Sequence, residues 1–168
     1  MMFNSPQGRE VPVRYALPDE RQGLTVKLKV ISAREDYVVR RTVEDDIFEQ
    51  ENGPEVRTVV GYCTVSTYDD GTPGEVFLVI GKEGHELHGW ADKWSQMFSL
   101  LLQYGVDPRL IYESMKFQSF EPSGLTNSPK VPLCKSIPDF VARWMEATFP
   151  PTAKGDQYDS LLDAVIEQ

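Results

Sequence analysis

Two short stretches hold most of the side chains that could do chemistry. His85, Glu86, His88 and Asp92 crowd together, and His88 and Asp92 fall one turn apart if the segment is helical. A divalent cation accepts an imidazole and a carboxylate at that spacing. No third or fourth ligand follows, the HExxH signature is absent, and acids at a helix start already complement its dipole, so no metal site is predicted. Just before them, the string GKEG sets Gly81, Lys82 and Gly84 beside His85. Backbone amides converging at a helix start, with a lysine adding charge, suit a phosphate or a nucleotide. The string has neither P-loop nor dinucleotide spacing, and a plain turn from strand to helix explains the same glycines.

The second stretch runs through FEPSG, with Glu121 and Ser123, to KSIPD, with Lys135, Ser136 and Asp139. Ser123 has no general base recognisable in the sequence and GxSxG is not present, which disfavours a hydrolase. No residue is assigned a catalytic role. Cys63 and Cys134 lie far apart with no CxxC and no zinc spacing, so reduced thiols are expected, with Cys134 read as a small buried hydrophobe.

The elements that must position these residues follow from periodicity. Residues 1–23 carry Pro6, Gly8, Pro12, Pro18 and Gly23 and read as an extended lead-in, with LPDER at Leu17 to Arg21 as a turn. Leu24, Val26, Leu28 and Val30 alternate with Thr25, Lys27 and Lys29, which predicts a strand whose lysines suit a place near a sheet edge. Thr58 to Thr67 and Glu75 to Ile80 read as strands joined by a hairpin at DDGTPG. VFLVI is apolar on both faces, so one face needs helices and the other a second layer or a partner chain, and a homodimer is one way to supply it.

Leu87, Trp90, Trp94, Met97, Leu101 and Tyr104 recur at spacings of three and four, which predicts a helix with that stripe in the core and Gly105 at its C-terminal cap. Asp107 and Pro108 open a second helix. Ser136 caps a third, with Pro138 in its first turn and Ile137, Phe140, Val141 and Trp144 on the buried side. Lys116 to Pro129 reads as a loop. The predicted fold is α+β: an antiparallel sheet of three or four strands with two or three helices packed on one face.

A length of 168 residues, 40% hydrophobic and 26% charged, fits one domain spanning 24–149. A net charge of -9 and a pI near 4.7 oppose phosphate-backbone binding, so no direct nucleic-acid contact is expected. Over half of that charge sits in 32–56, where eight acids oppose three arginines; the segment is read as a projecting hairpin or short helix, either solvated or a contact for a basic partner. No stretch approaches the ~20 apolar residues of a membrane span. The start lacks the blocks of a signal peptide, so a cytoplasm, bacterial or of a virus-infected host, is expected. The tail, 150–168, ends YDSLLDAVIEQ, where Leu161, Leu162, Val165 and Ile166 allow a short amphipathic helix.

Several strings stand in a fixed order: GYCTV at 61, YDDGTPGE at 68, KEG at 82, LQYGV at 102, FEPSG at 120 and KSIPD at 135. Together they resemble the TSCPD domain found near the C-terminus of adenosylcobalamin-dependent ribonucleotide reductases. The resemblance covers Gly61 to Met145, with Leu17 to Val30 as an extension and 32–56 as an insertion. It implies that KSIPD aligns with the naming motif, whose cysteine position is Ile137 here. It also implies that radical chemistry and adenosylcobalamin belong to a barrel outside these residues, and that a tail without cysteine cannot perform the thiol shuttle. The function so implied is a non-catalytic accessory domain in deoxynucleotide synthesis, with no cofactor of its own, that binds a reductase catalytic chain or a nucleotide. The alternative is a viral or regulatory protein, phage-encoded for example, that binds a host protein through its acidic insertion.

Overall fold

The computed structural model describes residues 13–34, 38–42, 48–52, 55–81 and 86–150, with the backbone alone over 33–56. The lead-in before residue 13 and the tail after 150 lie outside the described residues. Long alternating strands dominate the first half. β1 (Gln22–Arg34) pairs antiparallel with β4 (Glu55–Thr67) along all of its length, from Gln22 opposite Thr67 to Arg34 opposite Glu55. β4 turns at Asp69 to Thr72 into β5 (Pro73–Ile80), where Gly71 takes a φ of 83° and Asp70 accepts the Thr72 amide at 2.9 Å. A residue with a side chain resists that backbone region, and glycine does not.

Between β1 and β4 the chain continues as β2 (Val38–Thr42) and β3 (Phe48–Asn52), which among the described residues pair only with each other. Of the two forms open to the acidic segment, its backbone takes the hairpin. The second half supplies α1 (Glu86–Gln103), α2 (Pro108–Met115) and α3 (Ile137–Thr148). Gly105, at φ 77°, closes α1, and Asp107 caps α2 by accepting the Arg109 amide at 2.8 Å.

The α+β class and the one-sided helical layer are as expected, but the sheet has five strands in the order β5-β4-β1-β6-β7. The additional strands, β6 (Gly124–Thr126) and β7 (Leu133–Cys134), come from the segment around the expected loop. They are too short to show alternation. Placing β6 beside β1 also moves β1 from the edge to the interior of the strand order. Its edge character survives in part: β6 meets β1 only at Val30 and Ile31, and nearer the N-terminus the Asn127 side chain bonds the Lys29 amide (2.7 Å) and the Lys27 carbonyl (3.0 Å).

One face of the sheet is buried. Leu28 and Val30 of β1, Cys63 and Val65 of β4, and Val76, Leu78 and Ile80 of β5 share a core with Phe98, Leu102, Tyr112, Phe140, Val141 and Met145 from the helices. Each such aliphatic side chain contributes about 1.5–3 kcal/mol of transfer free energy. The α1 stripe predicted for the core is borne out in part, since Leu87 and Trp94 pack against the core, but the stripe as a whole is displaced. Ala91, Ser95, Phe98 and Leu102 face inward, whereas Trp90 is 70% and Met97 66% exposed, with Leu101 and Tyr104 also exposed. The apolar side of the helix spans about half its circumference, wider than the strip that β5 can cover, and the edge of it that carries Ala91, Phe98 and Leu102 fits against β5.

Candidate functional site

The FEPSG and KSIPD strings meet at the start of α3. Ser136 is extended, with φ -165°, and its Oγ accepts the Asp139 amide at 3.2 Å. Asp139 is fully buried, and its carboxylate accepts the backbone amides of Phe117 (2.7 Å) and Lys135 (2.9 Å) and the Arg143 guanidinium (3.3 Å). Those bonds hold Phe117 in the left-handed region, with φ 65°, while Lys135 and Arg143 lie against its ring at 5.4 and 5.7 Å. The Phe120 amide then donates to the Lys135 carbonyl at 3.1 Å, joining the two strings main chain to main chain.

Glu121 is likewise committed. It accepts the Ser32 hydroxyl at 2.7 Å, the Ser123 hydroxyl at 2.8 Å and the Ser123 amide at 3.2 Å. A carboxylate tying its own loop to β1 organises that loop. The five motif-loop residues therefore fall in two groups, Glu121 with Ser123 and Lys135 with Ser136 and Asp139, linked by the Phe120–Lys135 main-chain bond and engaged within the loops or with β1 and α3 rather than converging on a common space.

What these loops present outward is apolar. A groove of about 250 Å³ lies between α1 and the two motif strings, walled by Leu87, Trp90, Trp94, Phe120, Pro122 and Pro138 and floored by Leu78, Ile80 and Ile137. The residue at the motif's cysteine position thus forms part of an apolar floor, only 3% exposed. From Trp90 the exposed apolar surface of α1 runs on through Met97 and Leu101. A larger hollow, about 640 Å³, lies by the hairpin turn and the start of α2. Its acids are engaged in local structure, Asp70 on Thr72 and Asp107 on Arg109, so the groove is the better candidate site.

Gly81 closes β5 with φ 69°, while Lys82, Gly84 and His85 lie outside the described residues. Asp92 engages Lys93 at 3.0 Å and Gln96 at 3.3 Å, and no cluster of three metal-binding side chains occurs among the described residues. Burial pushes the Cys63 thiol up to about 12 and raises that of Cys134 as well. Ellman's reagent at pH 8 is expected to leave both thiols unmodified in the folded protein and to titrate both in urea; rapid labelling before unfolding would contradict this. Sequence reasoning missed the groove because it assigned Trp90 to the core, where Trp94 does pack, and Trp90 is 70% exposed. The available signal was a helix with more apolar residues than one buried face can take.

The TSCPD domain family matches residues 41–149. Among similar proteins, the vitamin B12-dependent ribonucleotide reductase of Rhodopirellula baltica is 33% identical over 150 residues, covering 86% of this chain and 12% of that protein. The enzymes of the same name from Streptantibioticus cattleyicolor and Bradyrhizobium diazoefficiens are 33% and 26% identical over 140 residues, covering 83% and 80% of this chain. The chain spans 19% and 11% of those two. No solved structure matches it. No helix among the described residues is long and apolar enough to cross a membrane. The groove, both strings that build it and the α1 stripe all lie within the matched span, and this chain belongs to the TSCPD domain family.

Proposed function

We propose that this chain is a non-catalytic accessory domain of ribonucleotide reduction, and that the groove and the exposed stripe of α1 receive an apolar segment of a B12-dependent reductase catalytic chain. One observation carries the reading: the polar motif residues turn inward to hold two loops, leaving Phe120, Pro122 and Pro138 to form an apolar surface with Trp90 and Trp94 of α1. Exposed apolar patches of this kind, with tryptophan at their centre, are the usual anchors of protein interfaces. A nucleotide would need polar or cationic groups in the same space, and among the described residues the groove wall offers only the engaged Glu121.

The test is titration of the chain against a B12-dependent catalytic chain from the same source by isothermal calorimetry. Saturable binding is expected, with Trp90→Ala weakening it about tenfold, the effect of losing one well-packed anchor. The Trp90 side chain is largely exposed, so far-UV circular dichroism should be unchanged. Absence of binding, or binding indifferent to Trp90, would remove the proposal. Heat on addition of nucleotides alone would put the nucleotide reading in its place.

A further inference from the structure

The face of the sheet turned away from the helices is open, and the strand register sets its side chains in rows. Two of them are exposed aromatic rings, Phe77 at 45% and Tyr62 at 47%. Phe77 stands opposite Thr64 and Tyr62 opposite Val79, so the two residues are diagonal neighbours on adjacent strands, about 7–8 Å apart. On the next strand Lys27 stands opposite Tyr62 and Lys29 opposite Val60. A pair of rings thus lies beside a pair of like charges.

Lys27 is exposed and Lys29 half-buried, and among the described residues neither ammonium meets a carboxylate. At the margin Arg21 neutralises Glu75 at 2.7 Å, and its guanidinium lies 6.0 Å from the centre of the Phe77 ring. The middle of the face is therefore positive, on a chain of net charge -9. The expectation that nucleic acid is excluded rests on that whole-chain charge, which does not describe this surface. The polar groups beside the rings ask little of a ligand, since the Thr25 and Thr64 hydroxyls bond to each other at 2.8 Å.

We infer that this face binds single-stranded nucleic acid, with bases stacked on Phe77 and Tyr62 and backbone phosphates held by Lys27 and Lys29. Rings beside unpaired cations suit that ligand, because every base has a π-face and every nucleotide brings a phosphate. A duplex is not the occupant, since its bases already stack on one another and a flat sheet face enters neither groove. An acidic protein segment would meet the lysines but would not need the rings, because Val79, Val60 and Ile31 offer it apolar contact as well. Stacking and charge set the binding, so little sequence preference is expected. The face lies on the opposite side of the sheet from the groove, and its ligand is independent of the proposed accessory function.

Fluorescence anisotropy of a fluorescein-labelled oligothymidine of about twelve nucleotides, titrated with the whole chain, tests it. A dissociation constant of about 1–100 μM is expected at about 0.1 M salt, and the logarithm of affinity should fall with that of salt at a slope of about −1.4, for two phosphates neutralised. Lys27→Ala should bring the slope to about −0.7. Tyr62→Leu and Phe77→Leu keep apolar bulk but lose the ring, and each should weaken binding about fivefold or more, whereas Phe77→Tyr should not. Circular dichroism and urea midpoints check that each variant is folded. No binding up to about 100 μM, equal binding of a duplex of the same length, or binding indifferent to the rings overturns the inference. Equally effective displacement of the oligonucleotide by polyglutamate, which carries charge without bases, overturns it too.

Discussion

Replacing Asp139 by alanine is expected to destabilise the fold by about 3–5 kcal/mol, read as a lowered urea midpoint with an unchanged slope. The carboxylate is fully buried and accepts two main-chain amides and a guanidinium. Removing it leaves the Phe117 and Lys135 amides without their acceptor and frees the Arg143 charge in a part-buried setting. It also takes a negative charge from the first turn of α3, where the helix dipole favours one. Asp139→Asn keeps one acceptor oxygen and should lose about half as much. A loss below about 1 kcal/mol for the alanine variant would show that water satisfies those amides, and that the motif aspartate is held for some other reason. Because Phe117 owes its left-handed backbone to this carboxylate, the same substitution should loosen the FEPSG loop and with it one wall of the groove.

The second large effect is expected at Gly124, which ends FEPSG and begins β6. Its φ is 145°, a region that side-chain-bearing residues rarely enter, and a Cβ there would fall against the carbonyl oxygen of Ile31. Gly124→Ala should therefore destabilise the protein by about 3 kcal/mol or more, since backbone strain and the clash act together and β1 cannot shift without breaking its pairing to β4. Gly71→Ala is the internal comparison. That position also has positive φ but has open space around it, so the loss should be about 1–2 kcal/mol. Equal losses at the two positions would mean that close packing of β6 on β1 contributes nothing. Together the Asp139 and Gly124 variants ask whether the motif strings are architecture for a surface or parts of a reacting centre, because both act on the loops and neither lines the groove.

Much of this was legible in the residues alone. The caps of α2 and α3, the glycine that closes α1 and the β4–β5 turn are local devices, each set by one or two side chains and their backbone neighbours, so sequence spacing suffices to find them. The ordered strings likewise pointed to the family that residues 41–149 match. The strands β6 and β7 were not legible, since two or three residues cannot display a period and their place depends on β1 almost a hundred residues away. The orientation of α1 was not legible either. Its sequence carries Trp90, Met97 and Leu101 as well as Phe98 and Leu102, and only the surface of β5 decides which of them enters the core.

By itself the sequence determined the α+β class, the end of α1 and the starts of α2 and α3, the reduced state expected of two isolated thiols and the acidity concentrated in 32–56, because each depends on composition or on contacts within a few residues. The tertiary structure alone decided that Glu121 and Asp139 serve the loops, that Trp90 and Trp94 wall a groove, and that Lys27 and Lys29 stand on an open apolar face. Those outcomes depend on which distant element covers which side of a strand or helix. Packing settles that competition globally, and no local pattern records its result.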